Sequence, residues 1–172
     1  MVESETPEHP SEEWGQRLAF RPMRPHVARI IADTWKYPAP FHFYDATADP
    51  EDYQEFVRPE EWPPFFQEVE THRELVGFFS ASPMGDGVGW EISLGMRPDL
   101  TGGGRGLAFV LAGIAELSRC VCPGRVVLSV AAFNTRAISV YEAAGFVQTR
   151  TFQQETNGGT YEFLEMELRA GA

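Results

Sequence analysis

The chain has 172 residues and a net charge of −11, with 14 Lys and Arg set against 25 Asp and Glu. Its length suits one domain able to stand without disulfides or metals, and its 43% hydrophobic content excludes wholesale disorder. The acidity excludes a broad grip on nucleic acid but not a small phosphorylated ligand in a backbone nest, and no stretch approaches the ~20 apolar residues of a membrane span.

The chain opens on an acidic stretch with no apolar h-region, so no secretory signal is expected and a cytoplasmic location is. Residues 1–13 carry −5 and read as a disordered tail ahead of a single domain over 14–172. Residues 17–22 alternate as a short strand. After Pro25, apolar residues at 27, 30, 31 and 35 predict a helix. The aromatic, Pro-rich run over 37–50 reads as a loop, and a short helix follows, capped by Asp49 with Pro50 in its first turn.

From Phe65 the period changes to two, and three antiparallel strands are predicted over 65–70, 73–82 and 87–96. A Gly-rich loop then leads into a helix with Leu107, Val110, Leu111, Ile114 and Leu117 at helical spacing. Residues 125–133 form a buried strand. Asn134 starts another helix, closed by Gly145, and two strands flank the Asn157-Gly158-Gly159 turn. The result is a mixed α/β fold.

The charge is regional: +4 over 14–44, −8 over 45–74 and −2 over 75–172. Cys120 and Cys122 are too close for an unstrained bridge and read as reduced structural thiols. His9, His26, His42 and His72 are scattered, so no metal is expected.

The loop Thr101-Gly-Gly-Gly-Arg-Gly106 joins a strand to a helix. Glycines permit positive φ and close ligand approach, and N–H groups at a helix start make an anion cradle, which suits a pyrophosphate. A P-loop would need a Lys where this loop has only Arg105. A dinucleotide fold would need G-x-G-x-x-G in a parallel unit, and here Gly102, Gly104 and Gly106 follow antiparallel strands.

Some thirty residues on stand Asn134, Ala137, Tyr141, Gly145 and Phe146. With the glycine loop and Pro98 upstream, this pattern resembles the GCN5-related N-acetyltransferase (GNAT) family. That family's loop is similar to [RQ]-x-x-G-x-G-[AG], and its later element reads N-x-x-A-x-x-x-Y-x-x-x-G-F. The resemblance covers residues 17–168 and implies a mostly antiparallel sheet flanked by helices, with two central strands splayed apart. Thr101 departs from the usual Arg or Gln, and Arg105 from the usual apolar residue.

The resemblance implies an acetyl-CoA-dependent N-acetyltransferase; the alternative is a catalytically silent acyl-CoA sensor or scaffold. The pantetheine arm would pair with the backbone of Leu94, Gly95 and Met96. The diphosphate would rest on Thr101, Gly102, Gly103, Gly104, Arg105 and Gly106, with Asn134 a cap or a cofactor contact. A backbone N–H at Met96 or its neighbour would polarise the thioester carbonyl.

A protonated amine must lose a proton before it attacks, and Glu91 is the first candidate base; Glu68 and Glu70 are weaker ones. Tyr141 stands where the family places the acid that protonates the departing thiolate. The acceptor region would include Trp35, Tyr37, Phe41, Phe43, Tyr44, Tyr53, Phe56, Trp62 and the −8 segment. Such a region favours a small cationic amine, then a peptide N-terminus or lysine. Arg21, Arg24, Arg29 and Lys36 argue the other way if they face it. By analogy with the family, a homodimer would form through the C-terminal hairpin.

Overall fold

A computed structural model describes residues 10–171, and its seven strands form one sheet in the order β1-β2-β3-β4-β5-β7-β6. The strands are β1 (Ala19–Pro22), β2 (Phe65–Thr71), β3 (Glu74–Pro83), β4 (Gly89–Met96), β5 (Arg125–Ala131), β6 (Val147–Thr156) and β7 (Gly159–Arg169). Every neighbouring pair is antiparallel except β4 and β5. The helices are α1 (Pro10–Gln16), α2 (Pro25–Thr34), α3 (Pro50–Val57), α4 (Gly106–Val121) and α5 (Thr135–Ala143).

The expected element order holds, with one addition. Helix α1 covers residues 10–13 of the segment expected to be a disordered tail, and Trp14 packs its ring 6.5 Å from that of Phe109 on α4. The rest of that expected tail, residues 1–9, lies outside the described residues.

The helices start where local chemistry dictates. Pro25 fits the first turn of α2, which buries Val27, Ala28, Ile31 and Ala32 at helical spacing. Asp49 caps α3 by accepting from Glu51 N–H, and Pro50 follows it. Helix α4 buries Phe109, Val110, Gly113 and Leu117. Leu111, expected on that face, is 47% exposed, because the stripe is completed by Gly113, where a Cβ would collide with the Phe79 ring.

Two apolar layers result. Helices α4 and α5 cover one face, with Phe79, Ile92, Leu128 and Met166 in the core; α2 and α3 cover Phe66 and Phe78 on the other.

The decisive feature is where pairing stops. Strands β4 and β5 are bonded only at Gly89↔Arg125, Trp90↔Val126 and Glu91↔Val127. Beyond Glu91 they part, while β5 stays paired to β7 as far as Ala131↔Phe163. A V-shaped cleft opens, with Met96 and Ala131 at its mouth.

Candidate active site

Backbone direction in the cleft follows from strand alternation. Arg97 N–H bonds Val76 O on β3, so the N–H and C=O of Met96, and of Leu94 two residues back, face the cleft. Gly95 pairs with Phe78 and turns its polar groups to β3, so it offers the cleft no hydrogen bond, contrary to expectation. Its missing Cβ has another use: one built there would lie 2.5 Å from the Phe78 ring. On the far arm, Ala132 N–H bonds Glu162 O on β7, so Ala131 N–H faces the cleft.

The loop between α2 and α3 crosses the mouth. The Tyr37 hydroxyl donates to Met96 O at 2.7 Å, and Ala131 N–H donates to the Tyr44 hydroxyl oxygen at 3.3 Å. One loop therefore touches both arms through two phenols. It is fixed by Asp45, which accepts Tyr37 N–H, and by Asp49, which accepts Asn157 N–H at 2.9 Å from the β6–β7 turn. The Asn157 side chain returns a bond to Phe43 O.

The glycine loop lies beyond the β4 arm. Gly102 and Gly104 both take φ of +76°, a conformation that favours glycine. Beyond its two chain neighbours, no protein atom lies within 4 Å of a Cβ built on Gly104, so that side of the loop is open. A short 3-10 turn over Pro98–Leu100 precedes it, and α4 starts at Gly106, whose Cβ position meets Val140 of α5 at 3.1 Å. Thr101 does not offer its hydroxyl proton, which is donated to Pro98 O at 2.7 Å. Arg105 lies against Gly103, with its guanidinium 5.9 Å from the Trp14 ring centre.

Asn134 caps α5 by accepting Ala137 N–H at 3.2 Å. Burial pushes the Tyr44 phenol up, opposed by hydrogen bonds from the Asn134 side chain and Ala131 N–H. Tyr141, half-buried against Phe146, is pushed well up by burial and then by neighbouring Tyr44. A phenol so raised stays protonated at neutral pH. Tyr37 is raised in the same way, by burial first and then by Asp45.

Glu91 ends the paired stretch, at the apex of the cleft, exposed and without an ion-pair partner among the described residues. Glu68 is fully buried, receiving Arg24 N–H and Nε, and Glu70 pairs with Arg21 and Arg24. Both are therefore tied into the fold, as are Arg21 and Arg24. Trp35, Phe56 and Trp62 pack in the apolar layer under α2 and α3, and the Tyr53 hydroxyl donates to Asp33. Cys120 and Cys122 are exposed free thiols rather than packed ones, at the end of α4 remote from the loop.

Sequence reasoning missed Arg136. Its Nη1 lies 3.4 Å from a Cβ built on Gly102, and its guanidinium stacks 4.3 Å from the Phe41 ring centre. Its position within the α5 pattern was legible, but its proximity to the loop was not.

A family model for the Acetyltransferase (GNAT) family matches residues 25–146, which contain the cleft, the glycine loop and α5. The chain belongs to this family. It is 36% identical over 87 residues to a mycothiol acetyltransferase of Saccharopolyspora erythraea, covering 51% of this chain and 28% of that one. The chain thus spans less than a third of that relative's length.

Among solved structures, a spermidine N-acetyltransferase SpeG chimera from Vibrio cholerae and hSSAT superimposes with a TM-score of 0.73 at 18% identity, over 89% of this GNAT chain and 95% of the other. Aminoglycoside acetyltransferase AAC(6')-Ib in complex with coenzyme A gives 0.69 at 19%, over the same shares. Identities this low establish the fold. Among the described residues no group of side chains could hold a metal ion, and no helix is long and apolar enough to cross a membrane.

Proposed function

We propose that this GNAT protein transfers the acetyl group of acetyl-CoA directly to the amine of a small cationic acceptor. The observation that carries the reading is the cleft between β4 and β5, open at the glycine loop and closed at an unpaired carboxylate. The residues at the site fit this cosubstrate. Gly102 and Gly104 shape an open cradle, the first N–H groups of α4 are donors for a diphosphate, and the edge of Leu94 and Met96 suits the amides of a pantetheine arm.

Acetyl-CoA supplies the activated acyl group. The protein's residues position it and manage protons. Met96 N–H, facing the cleft, is a donor for the carbonyl oxygen. An arm entering from the loop points its end toward the apex, since Met96 and Glu91 are about 16 Å apart at ~3.3 Å per residue. Glu91 is too far from Met96 to touch an amine attacking a carbonyl held there, so it takes the acceptor's proton through a chain of waters, and its unpaired carboxylate attracts a cation. Tyr141 gives its proton to the departing sulfur.

The acceptor's identity is argued from this charge. Arg21 and Arg24 are engaged by Glu68 and Glu70 and do not oppose a cation in the cleft. Fold neighbours named for spermidine and aminoglycosides support a small amine. A thiol-release screen over an amine panel, with products read by mass spectrometry, tests the reading. Acetylation of cationic amines, weakening with salt, is expected. Tight CoA binding without turnover on any acceptor would mark a silent acyl-CoA sensor instead.

A further inference from the structure

We infer that Arg136 supplies the cation for the diphosphate of the bound nucleotide, with Phe41 of the α2–α3 loop holding it in place. The inference rests on the proposed acetyl-CoA site and adds to it a residue from a different element. Within the loop the only cation is Arg105, and its guanidinium faces Trp14 of α1. Thr101 carries no charge and gives its proton to Pro98 O, and Arg105 lies against Gly103. Backbone amides remain, and a diphosphate brings about two negative charges to them.

Arg136 satisfies what is missing. It sits in the first turn of α5, and its Nη1 reaches the open neighbourhood of Gly102, the first positive-φ glycine of the loop. Among the described residues it has no carboxylate partner, so its donors are available. Most Arg side chains of the fold are not in that position: Arg24, Arg97, Arg119, Arg125 and Arg150 all pair with acids. A guanidinium presents several donors in one plane, which suits phosphate oxygens.

Phe41 accounts for its placement. The guanidinium stacks at 4.3 Å from that ring, a cation–π contact that limits the motion of an exposed side chain. Phe41 belongs to the loop that also carries Tyr37 and Tyr44. The cofactor's cation is thus seated on the acceptor-side loop, and disturbance of that loop should reach cofactor affinity. Phe41 acts through Arg136 and is a positioning residue.

The test is calorimetry with CoA, dephospho-CoA and pantetheine on the full chain. Arg136→Ala should weaken CoA and dephospho-CoA alike, by about ten- to a hundredfold, while pantetheine, which has no diphosphate, binds variant and wild type alike. Phe41→Leu should weaken CoA by about two- to fivefold through the lost stacking. Arg136→Lys, which keeps the charge without the stacking plane, should fall between. It also serves if the alanine variant does not fold.

Equal CoA affinity in wild type and both Arg136 variants overturns the inference while leaving the acetyltransferase reading intact. A loss confined to CoA and absent for dephospho-CoA moves Arg136 to the 3′-phosphate and overturns the diphosphate assignment. A loss shared by pantetheine overturns it too, because Arg136 would then act on loop structure. Wild type that binds no CoA at all fails the underlying reading.

Discussion

The two walls of the cleft are made of different material. The β4–α4 wall is mostly backbone: the inner edges of Leu94 and Met96, the loop over 101–106 and the start of α4. The α2–α3 wall is side chain: two phenols, an Arg-bearing phenyl ring and two aspartates that fix the loop. A backbone wall recognises groups common to every cosubstrate molecule and tolerates little change. A side-chain wall can be retuned residue by residue, which is where acceptor choice is best encoded.

The backbone wall should break most completely at Gly104. Gly104→Val places a branched side chain at φ +76° and in the open cradle. CoA affinity is expected to fall by at least about a hundredfold, about 3 kcal/mol, measured by calorimetry. Normal affinity would mean that amides there do not hold the ligand.

Tyr141 of α5, a neighbour of Tyr44 in the side-chain wall, should come next. Tyr141→Phe is expected to lower kcat by about a hundredfold or more, with little change in acetyl-CoA affinity. An unaltered kcat would remove the phenol from proton transfer. Glu91→Gln removes the charge at the apex but keeps the shape. A kcat loss of about tenfold to a hundredfold is expected, together with loss of the acidic limb of the pH–rate profile. A retained limb would assign that limb to another group.

The side-chain wall should yield by degrees. Asn157→Gly keeps the positive φ of the hairpin turn while deleting the bond to Phe43 O. The acceptor's KM is expected to rise by about three- to tenfold with CoA binding nearly unchanged.

The same staple carries a pH dependence. Backbone N–H donors, Asn157 first and then Glu51, hold the Asp49 carboxylate below its ordinary value. Its contribution is therefore present in full above the unfolded pKa of about 3.9 and is lost as pH falls through the lower folded value. Thermal melts of wild type and Asp49→Asn should converge in that acidic range. A constant gap would assign the staple's effect to shape rather than charge.

Much of the backbone wall was legible in the sequence. Gly102, Gly104 and Gly106 mark a loop needing positive φ and close approach, and alternation over β4 fixed which side chains turn inward. The spacing from Asn134 to Phe146 marked α5 and its phenol. Leu111 was misplaced because a periodicity count sees an apolar residue and cannot see that Gly113 seats Phe79. Gly95 was misassigned because a run of three residues hides that neighbours on a strand hydrogen-bond in opposite directions.

The side-chain wall was not legible in the same way. Trp35, Tyr37, Phe41 and Tyr44 form one aromatic run, yet Trp35 is core, Tyr37 and Tyr44 reach opposite arms, and Phe41 underlies Arg136. The −8 segment read as an acidic cleft, but Glu68 and Glu70 are bound by arginines and Asp49 staples a loop.

By itself the sequence determined most of the element order, the positive-φ glycines of the loop, the α5 pattern and hence the family, because these depend on local backbone preference and on periods within one element. Only the tertiary structure decided which hydroxyls meet the cleft, which carboxylate stays unpaired and which arginine stands at the loop. Those outcomes join residues far apart in the chain, 59 positions for Tyr37 with Met96 and 95 for Phe41 with Arg136. They are settled by how the sheet and its two helical layers pack, which no local pattern encodes.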